Sequence, residues 1–346
     1  MNKLNVIMDK VYRKLNYIFW HRVHPGKWSL YLFVSYRHYK FHKNISDTQE
    51  KKENLYLTQE PNHGAGIGHQ LANWNSGYYY AKVFGLKYAY SSFPNKMWDE
   101  FLGFGQAENS VEQLVKKGYK KRKLPYFNEN SEEEKQLICD IIDSYDGEKI
   151  VFVLGLDQVY SRQCDVMEDI RYKFEHAVAR QKDKLIYNPD CLNIAVHIRR
   201  GDIVIGQENN DPALTKRWLD TEYYVHILKK IQVELQKKGI VYKIYLFSQG
   251  EKADFSELGQ VSPVEFCLDM PPRESFLHMV KADILITSKS SFSYKPALLS
   301  RGLRICPEHF WHAYPIEKEW ILIDEEQGIT QEQVDTLVEL IDAKPV

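Results

Sequence analysis

The chain has 346 residues, 44% of them apolar and 27% charged, with a formal net charge of −1. Those proportions exclude disorder over most of the length and leave room for two packed domains. Five cysteines (Cys139, Cys164, Cys191, Cys267, Cys306) stand far apart with no CxxC pair, which excludes a disulfide framework or a thiolate zinc site and fits reduced thiols.

The near-neutral total hides an asymmetry. Residues 1–52 hold 11 Lys/Arg against 3 Asp/Glu, whereas the remainder holds 35 against 44. Ten aromatic residues lie between Tyr12 and Phe41. A basic aromatic head over residues 1–45 suits peripheral contact with an anionic membrane, each Lys or Arg near such a surface contributing about 1 kcal/mol; packing of the head on the body is the alternative. No run of 18 apolar residues and no signal-peptide core occurs, so a cytoplasmic location is expected, free or on the inner membrane's cytoplasmic face. The acidic body argues against nucleic acid as a partner.

Residues 42–54 form a polar linker. A strand at 54–58, a glycine-rich turn at 63–68 and a long helix follow, with Ile67, Leu71, Trp74 and Tyr78 giving the helix one apolar face. Strands are expected at 86–93 and 149–154, and helices from 129 and over 166–180. Beyond residue 188 the alternation is cleaner: strands at 192–198, 241–247, 264–268, 284–287 and 303–306, separated by helices at 219–238, near 251, 273–281 and 293–300. A last helix starts at Thr330 with Gln333 completing a capping box. Strands alternating with helices predict parallel sheets covered on both faces. The fold class is therefore α/β, two Rossmann-like domains with parallel sheets facing a central cleft. The divisions are a head over 1–52, an N-terminal domain over 53–188, a second domain over 189–325 and a terminal helix over 326–346.

Three segments carry chemistry. In NIAVHIRRGDI (193–203) an apolar strand ends abruptly in charge and glycine, and strand C-termini are where open α/β sheets gather functional groups. Arg199 and Arg200 there would offer forked donors to a diphosphate, with Asp202 orienting an arginine or a loop amide. In ADILITSKSSFSYKPALLSRG (282–302) a strand meets serines at a helix start, where unpaired N–H groups bind anions. In HGAGIGHQLANW (63–74) Gly64, Gly66 and Gly68 allow a tight turn and close backbone approach; their spacing is not G-x-G-x-x-G.

HIRRGD at 197–202 resembles the HxRRGD segment of the GT-B fucosyltransferases, above all the α-1,2 family and more distantly the α-1,6 and protein O-fucosyltransferases. GAGIGHQ is similar to the glycine-rich GxGNQ turn of that group's acceptor-side domain, and SSFSYKPALL to its SxFSWW-xxL segment. The resemblance runs in order over residues 55–305. It implies a GT-B fold and GDP-fucose as donor substrate. Arg199 and Arg200 would hold the β-phosphate, and His197 would support their loop. Ser290, Ser291 and Phe292 would cradle the phosphates, and Asp269 would read guanine. Gly66, Gly68, His69 and Gln70 would form the acceptor-side loop. Three departures stand out: His69 for asparagine, Gln249-Gly250 for an acidic pair, and Tyr294-Lys295 for two tryptophans, the last placed to alter the acceptor.

The implied reaction is inverting transfer of fucose from GDP-fucose to a glycan hydroxyl, in α-1,2 linkage and for bacterial surface polysaccharide, on a glycan acceptor that the basic head suggests is lipid-linked. Arg199 would stabilise the leaving diphosphate. Glu208 and His69 are the two candidates for the base that takes the acceptor proton. No DxD-type motif is present, so neither metal nor cofactor is expected. The rival functions are a transferase using another GDP-sugar or linkage, and a non-catalytic nucleotide- or glycan-binding protein.

Overall fold

The computed structural model describes residues 27–42, 49–155, 161–201, 203–204, 212–261 and 263–343. The basic head's first 26 residues, Asp202 and Glu208 lie outside them. Two compact units form. The first comprises Met1–Glu60, Ser76–Ser91 and Glu108–Gln158; the second comprises Pro61–Asn75, Ser92–Ala107 and Val159–Val346. The division is therefore interleaved instead of a single break near residue 188. The glycine-rich turn groups with the second unit, not with the first as the resemblance implies.

The first unit holds a five-stranded sheet of β1 (Leu55–Thr58), β2 (Lys87–Tyr90), β3 (Asn109–Ser110), β4 (Lys120–Lys123) and β5 (Ile150–Val153), in the order β3-β2-β1-β5-β4. Every pairing is parallel. The central strands LYLT and IVFV are buried throughout, as expected of strands covered on both faces. β4 (KKRK) is an edge strand, largely exposed. Its charged sequence gives no strand signal; pairing with β5 creates it.

The second unit holds β6 (Leu192–His197), β7 (Tyr242–Ser248), β8 (Val264–Leu268), β9 (Ile284–Ile286), β10 (Leu303–Pro307) and β11 (Trp320–Ile323), in the order β11-β10-β9-β6-β7-β8. All five pairings are parallel. Counted from β6, this is the 3-2-1-4-5-6 order of doubly wound nucleotide-binding sheets, whose topological switch point lies between strands 1 and 4. Here those are β6 and β9. The molecule is thus α/β with two parallel sheets, as the alternation predicts.

The helices follow the expected pattern with local shifts. Thr221–Lys237 ends before Gly239, whose φ of +68° supplies the left-handed stop. Gln331–Asp342 starts on a complete Thr330/Gln333 capping box. The segment expected to be helical over 166–180 divides into Met167–Glu175 and a 3₁₀ turn, Val178–Lys182, and the one near residue 251 is a 3₁₀ helix, Lys252–Gln260. The linker's last six residues, Gln49–Asn54, are also 3₁₀. The helix Ile67–Val83 departs more from expectation. Leu71, Ala72, Asn73, Trp74, Asn75 and Ser76 are all buried, so its middle turns are enclosed on every side instead of showing one apolar face. Its small polar residues allow this, because they fit and pair where larger polar groups would not. All five cysteines are free thiols.

Candidate functional site

The loops after β6 and β9 meet in the second unit. His197 closes β6, is buried, and its Nδ1 lies 2.8 Å from Ser288 Oγ at the end of β9. Burial, with Arg199 beside it, lowers this imidazole to about 3, so at neutral pH it is an uncharged tie between the two strand ends. Two residues on, Arg199 Nη1 donates to Ser290 Oγ at 3.2 Å. Ser290 is also the N-cap of the helix Ser291–Leu299, its Oγ accepting from Phe292 N at 3.2 Å. A half-buried guanidinium therefore sits at a helix start, whose first N–H groups and dipole favour an anion. This is the switch point, where open α/β sheets hold their ligands.

The glycine-rich turn completes this corner. A Cβ on Gly68 would lie 2.7 Å from the Ser291 carbonyl carbon and 2.9 Å from its oxygen, whereas one on Gly66 would meet nothing within 4 Å. Gly68 is thus required by the approach of the Ile67–Val83 helix start to Ser291. Gln70 Nε2 donates to Ala65 O at 2.7 Å and fixes the turn. His69 follows, half-buried, close enough to His312 for the two to interact electrostatically. His312 lies with its Nε2 3.4 Å from Ser291 Oγ and receives the Trp311 indole N–H at 3.1 Å. Burial first, then Lys295 and His69, hold it down to about 2.

The two arginines part company. The Arg200 guanidinium donates to Leu219 O at 3.2 Å and Thr221 Oγ1 at 3.0 Å, and lies 3.9 Å from the Trp218 ring centroid. It fastens the segment before the helix Thr221–Lys237 instead of doubling the Arg199 fork. Successive residues leaving a strand point to opposite sides, which sequence adjacency conceals. On the Arg200 side lies a cavity of about 700 Å³, lined by Trp218, Gln249 and Gly250 and by Asp220, Glu222, Asp254 and Glu257.

Asp269 follows β8, is exposed, and has φ +53°, with its N–H on Ser248 O at 3.0 Å. A non-glycine residue in the left-handed region is uncommon, though Asp is among those that adopt it most readily. Phe292 is half-buried with its ring 5.6 Å from that of His197. Tyr294 and Lys295 are both buried. Tyr294 stacks on His312 at 4.8 Å, and Lys295 donates to Gln163 Oε1. These positions are core, not the acceptor surface expected of the tryptophans they replace. Among the described residues, Glu308, His309 and Asp324 form the one group with metal-ligand spacing, and it is largely exposed. Sequence reasoning included Ser288 among the anion-binding serines but not its tie to His197, and it missed Trp218, Thr221 and His312. These three carry no local signal.

No family model matches the chain, and no curated protein does. Among solved structures, POFUT1 in complex with GDP is similar with a TM-score of 0.42 and 13% identity, over 73% of this chain and 98% of that one. The E. coli heptosyltransferase WaaC with ADP-2-deoxy-2-fluoro heptose gives 0.37 and 12%, over 83% and 99%. A UDP-forming α,α-trehalose-phosphate synthase from Burkholderia xenovorans gives 0.34 and 8%, over 89% and 70%. Similarity this low assigns neither substrate nor activity.

Proposed function

We propose that this chain is a metal-independent GT-B glycosyltransferase that moves fucose from GDP-fucose to a hydroxyl of a glycan acceptor. The observation that carries the reading is the 3.2 Å contact of Arg199 Nη1 with Ser290 Oγ at the β6/β9 switch point. It puts one guanidinium and one helix N-terminus on the same small volume, the arrangement a diphosphate needs. The ordered HIRRGD and SSFSYKPALL segments support guanosine diphosphate over other anions, and Asp269, whose carboxylate would accept guanine N1–H and N2–H, supports it further.

In this reading the acceptor oxygen attacks the sugar's anomeric carbon as the bond to the β-phosphate oxygen breaks. Charge grows on the departing GDP, where Arg199 and the first N–H groups of Ser291–Leu299 receive it. His197 holds the two loops in register without competing charge. The acceptor's proton passes to a base. His69, set beside Ser291 by Gly68, is one candidate; Glu208 is the other. The carboxylates lining the cavity accept hydrogen bonds from hydroxyl-rich groups, which suits ribose or sugar. An α-1,2 linkage in bacterial surface polysaccharide follows from the motif resemblance, and a lipid-linked acceptor from the basic aromatic head.

GDP release from GDP-fucose, with GDP-mannose for comparison, tests the reading. Wild type should turn over GDP-fucose, and Arg199→Ala should be slower by on the order of 100- to 1000-fold. A wild type that binds GDP yet releases none from any GDP-sugar is a binding protein, and the transferase reading is then wrong.

A further inference from the structure

The first unit carries a basic surface of its own. Residues 116–123 read KKGYKKRK, six basic side chains in eight residues with no acidic one. Lys116 and Lys117 are exposed at the end of the helix Val111–Lys116, and Lys120, Lys121 and Lys123 are exposed along β4, with Lys149 exposed on the flank of the neighbouring strand. Lys121 pairs with Glu60. Lys116, Lys117 and Lys120 pair with no carboxylate of the described residues. The helix Val34–Phe41 packs on this strand, Ser35 Oγ donating to Lys123 O at 2.6 Å. Its outer face presents Val34, Arg37 and Phe41, at the three- and four-residue spacing of one helical side, and Leu32 precedes it. Leu32 is 57%, Val34 51% and Phe41 79% exposed. Of the sixteen large apolar side chains exposed among the described residues, four (Tyr31, Leu32, Val34, Phe41) fall within eleven residues.

We infer that this part of the first unit docks on an anionic lipid bilayer surface, Lys116, Lys117 and Lys120 meeting lipid phosphates and Leu32, Val34 and Phe41 entering the headgroup boundary. Charge complementarity selects an anionic partner. The apolar side chains select lipid over a polynucleotide, because they gain free energy only where hydrocarbon can cover them. Lysines on an edge strand also block edge-to-edge pairing, but that role needs neither Lys116 and Lys117, which precede the strand, nor the apolar row. The apolar row belongs to the basic aromatic head of residues 1–45 already expected at a membrane, and the lysines of 116–123 lie far from it in sequence; docking through both deepens that expectation and does not depend on nucleotide binding.

The full-length protein would be floated with vesicles of neutral phosphatidylcholine and with vesicles containing about a third phosphatidylglycerol. Wild type should rise with the anionic vesicles, stay down with neutral ones, and be released as salt is raised, since screening weakens exposed charges. Each lysine near such a surface contributes about fivefold to partitioning, so Lys116→Gln/Lys117→Gln/Lys120→Gln should bind roughly 100-fold less at an unchanged melting temperature. Phe41→Ser should lower binding to the same vesicles without touching charge. Flotation of the triple variant equal to wild type, salt-indifferent binding, or tighter binding to a single-stranded RNA homopolymer than to anionic vesicles would each overturn the inference.

Discussion

Gly66 and Gly68 are separated by Ile67 alone and sit in opposite surroundings. Alanine at 68 would drive its methyl into the Ser291 backbone, which has no rotamer with which to yield. Overpacking of this kind costs about 1–3 kcal/mol, and here the shift would also displace the helix start that meets Arg199. Alanine at 66 meets nothing. Thermal unfolding should therefore show Gly68→Ala lowered by several degrees and Gly66→Ala close to wild type; equal melting temperatures would remove the reason given for Gly68. His197 is open to a test by pH. Buried and next to Arg199, it titrates at about 3 folded, against about 6.5 in an unfolded chain. Between those values the unfolded chain holds the extra proton. Stability is thus full above pH 6.5 and declines as pH falls toward 3, by up to about 1.4 kcal/mol per unit from this residue. His312, held to about 2, acts in the same direction. His197→Gln should flatten the fall in melting temperature between pH 7 and 5, and a slope identical to wild type would contradict the buried neutral imidazole.

Among the helices and strands, Ser291–Leu299 depends on Ser290 twice: as its N-cap and as the acceptor of the Arg199 guanidinium. Ser290→Ala should cost about 1 kcal/mol of stability from the lost cap and weaken GDP binding as well; Ser290→Gly, which costs the cap only a few tenths, should weaken GDP with little change in melting temperature. If calorimetry finds GDP affinity intact in both, the serine is a cap alone. How far such elements are legible in the sequence depends on where their signal lives. β6 is plain because an apolar run breaks into His-Ile-Arg-Arg-Gly, and the Thr330 box because its two partners are three residues apart. β4 is invisible, since Lys-Lys-Arg-Lys becomes a strand only when β5 lies beside it. β11 (WILI) is apolar enough to read but follows a long loop that interrupts the alternation. At the site, the Arg199–Ser290 meeting is legible from two separate motifs. The diversion of Arg200 is not, because Trp218 and Thr221 reach it only in the folded sheet.

Across the second unit, the parallel sheet with a β6/β9 switch point puts His197, Arg199, Ser288 and Ser290 at adjoining strand ends, with Ser248 and Asp269 on the next strands along the same edge. Sheet order is what turns residues 91 positions apart into one anion corner. Among the described residues no helix is long and apolar enough to cross a membrane. Whether this corner holds the diphosphate of a guanosine nucleotide is tested most directly by thermal shift with GDP, UDP, ADP and CMP on wild type and Arg199→Ala. A ligand at a hundred times its dissociation constant adds about 2.7 kcal/mol to the folded state. Wild type should show a clear rise with GDP, smaller rises with UDP and ADP and none with CMP, and Arg199→Ala should lose the GDP rise. A GDP shift that survives Arg199→Ala, or no shift with any nucleotide, would contradict the assignment.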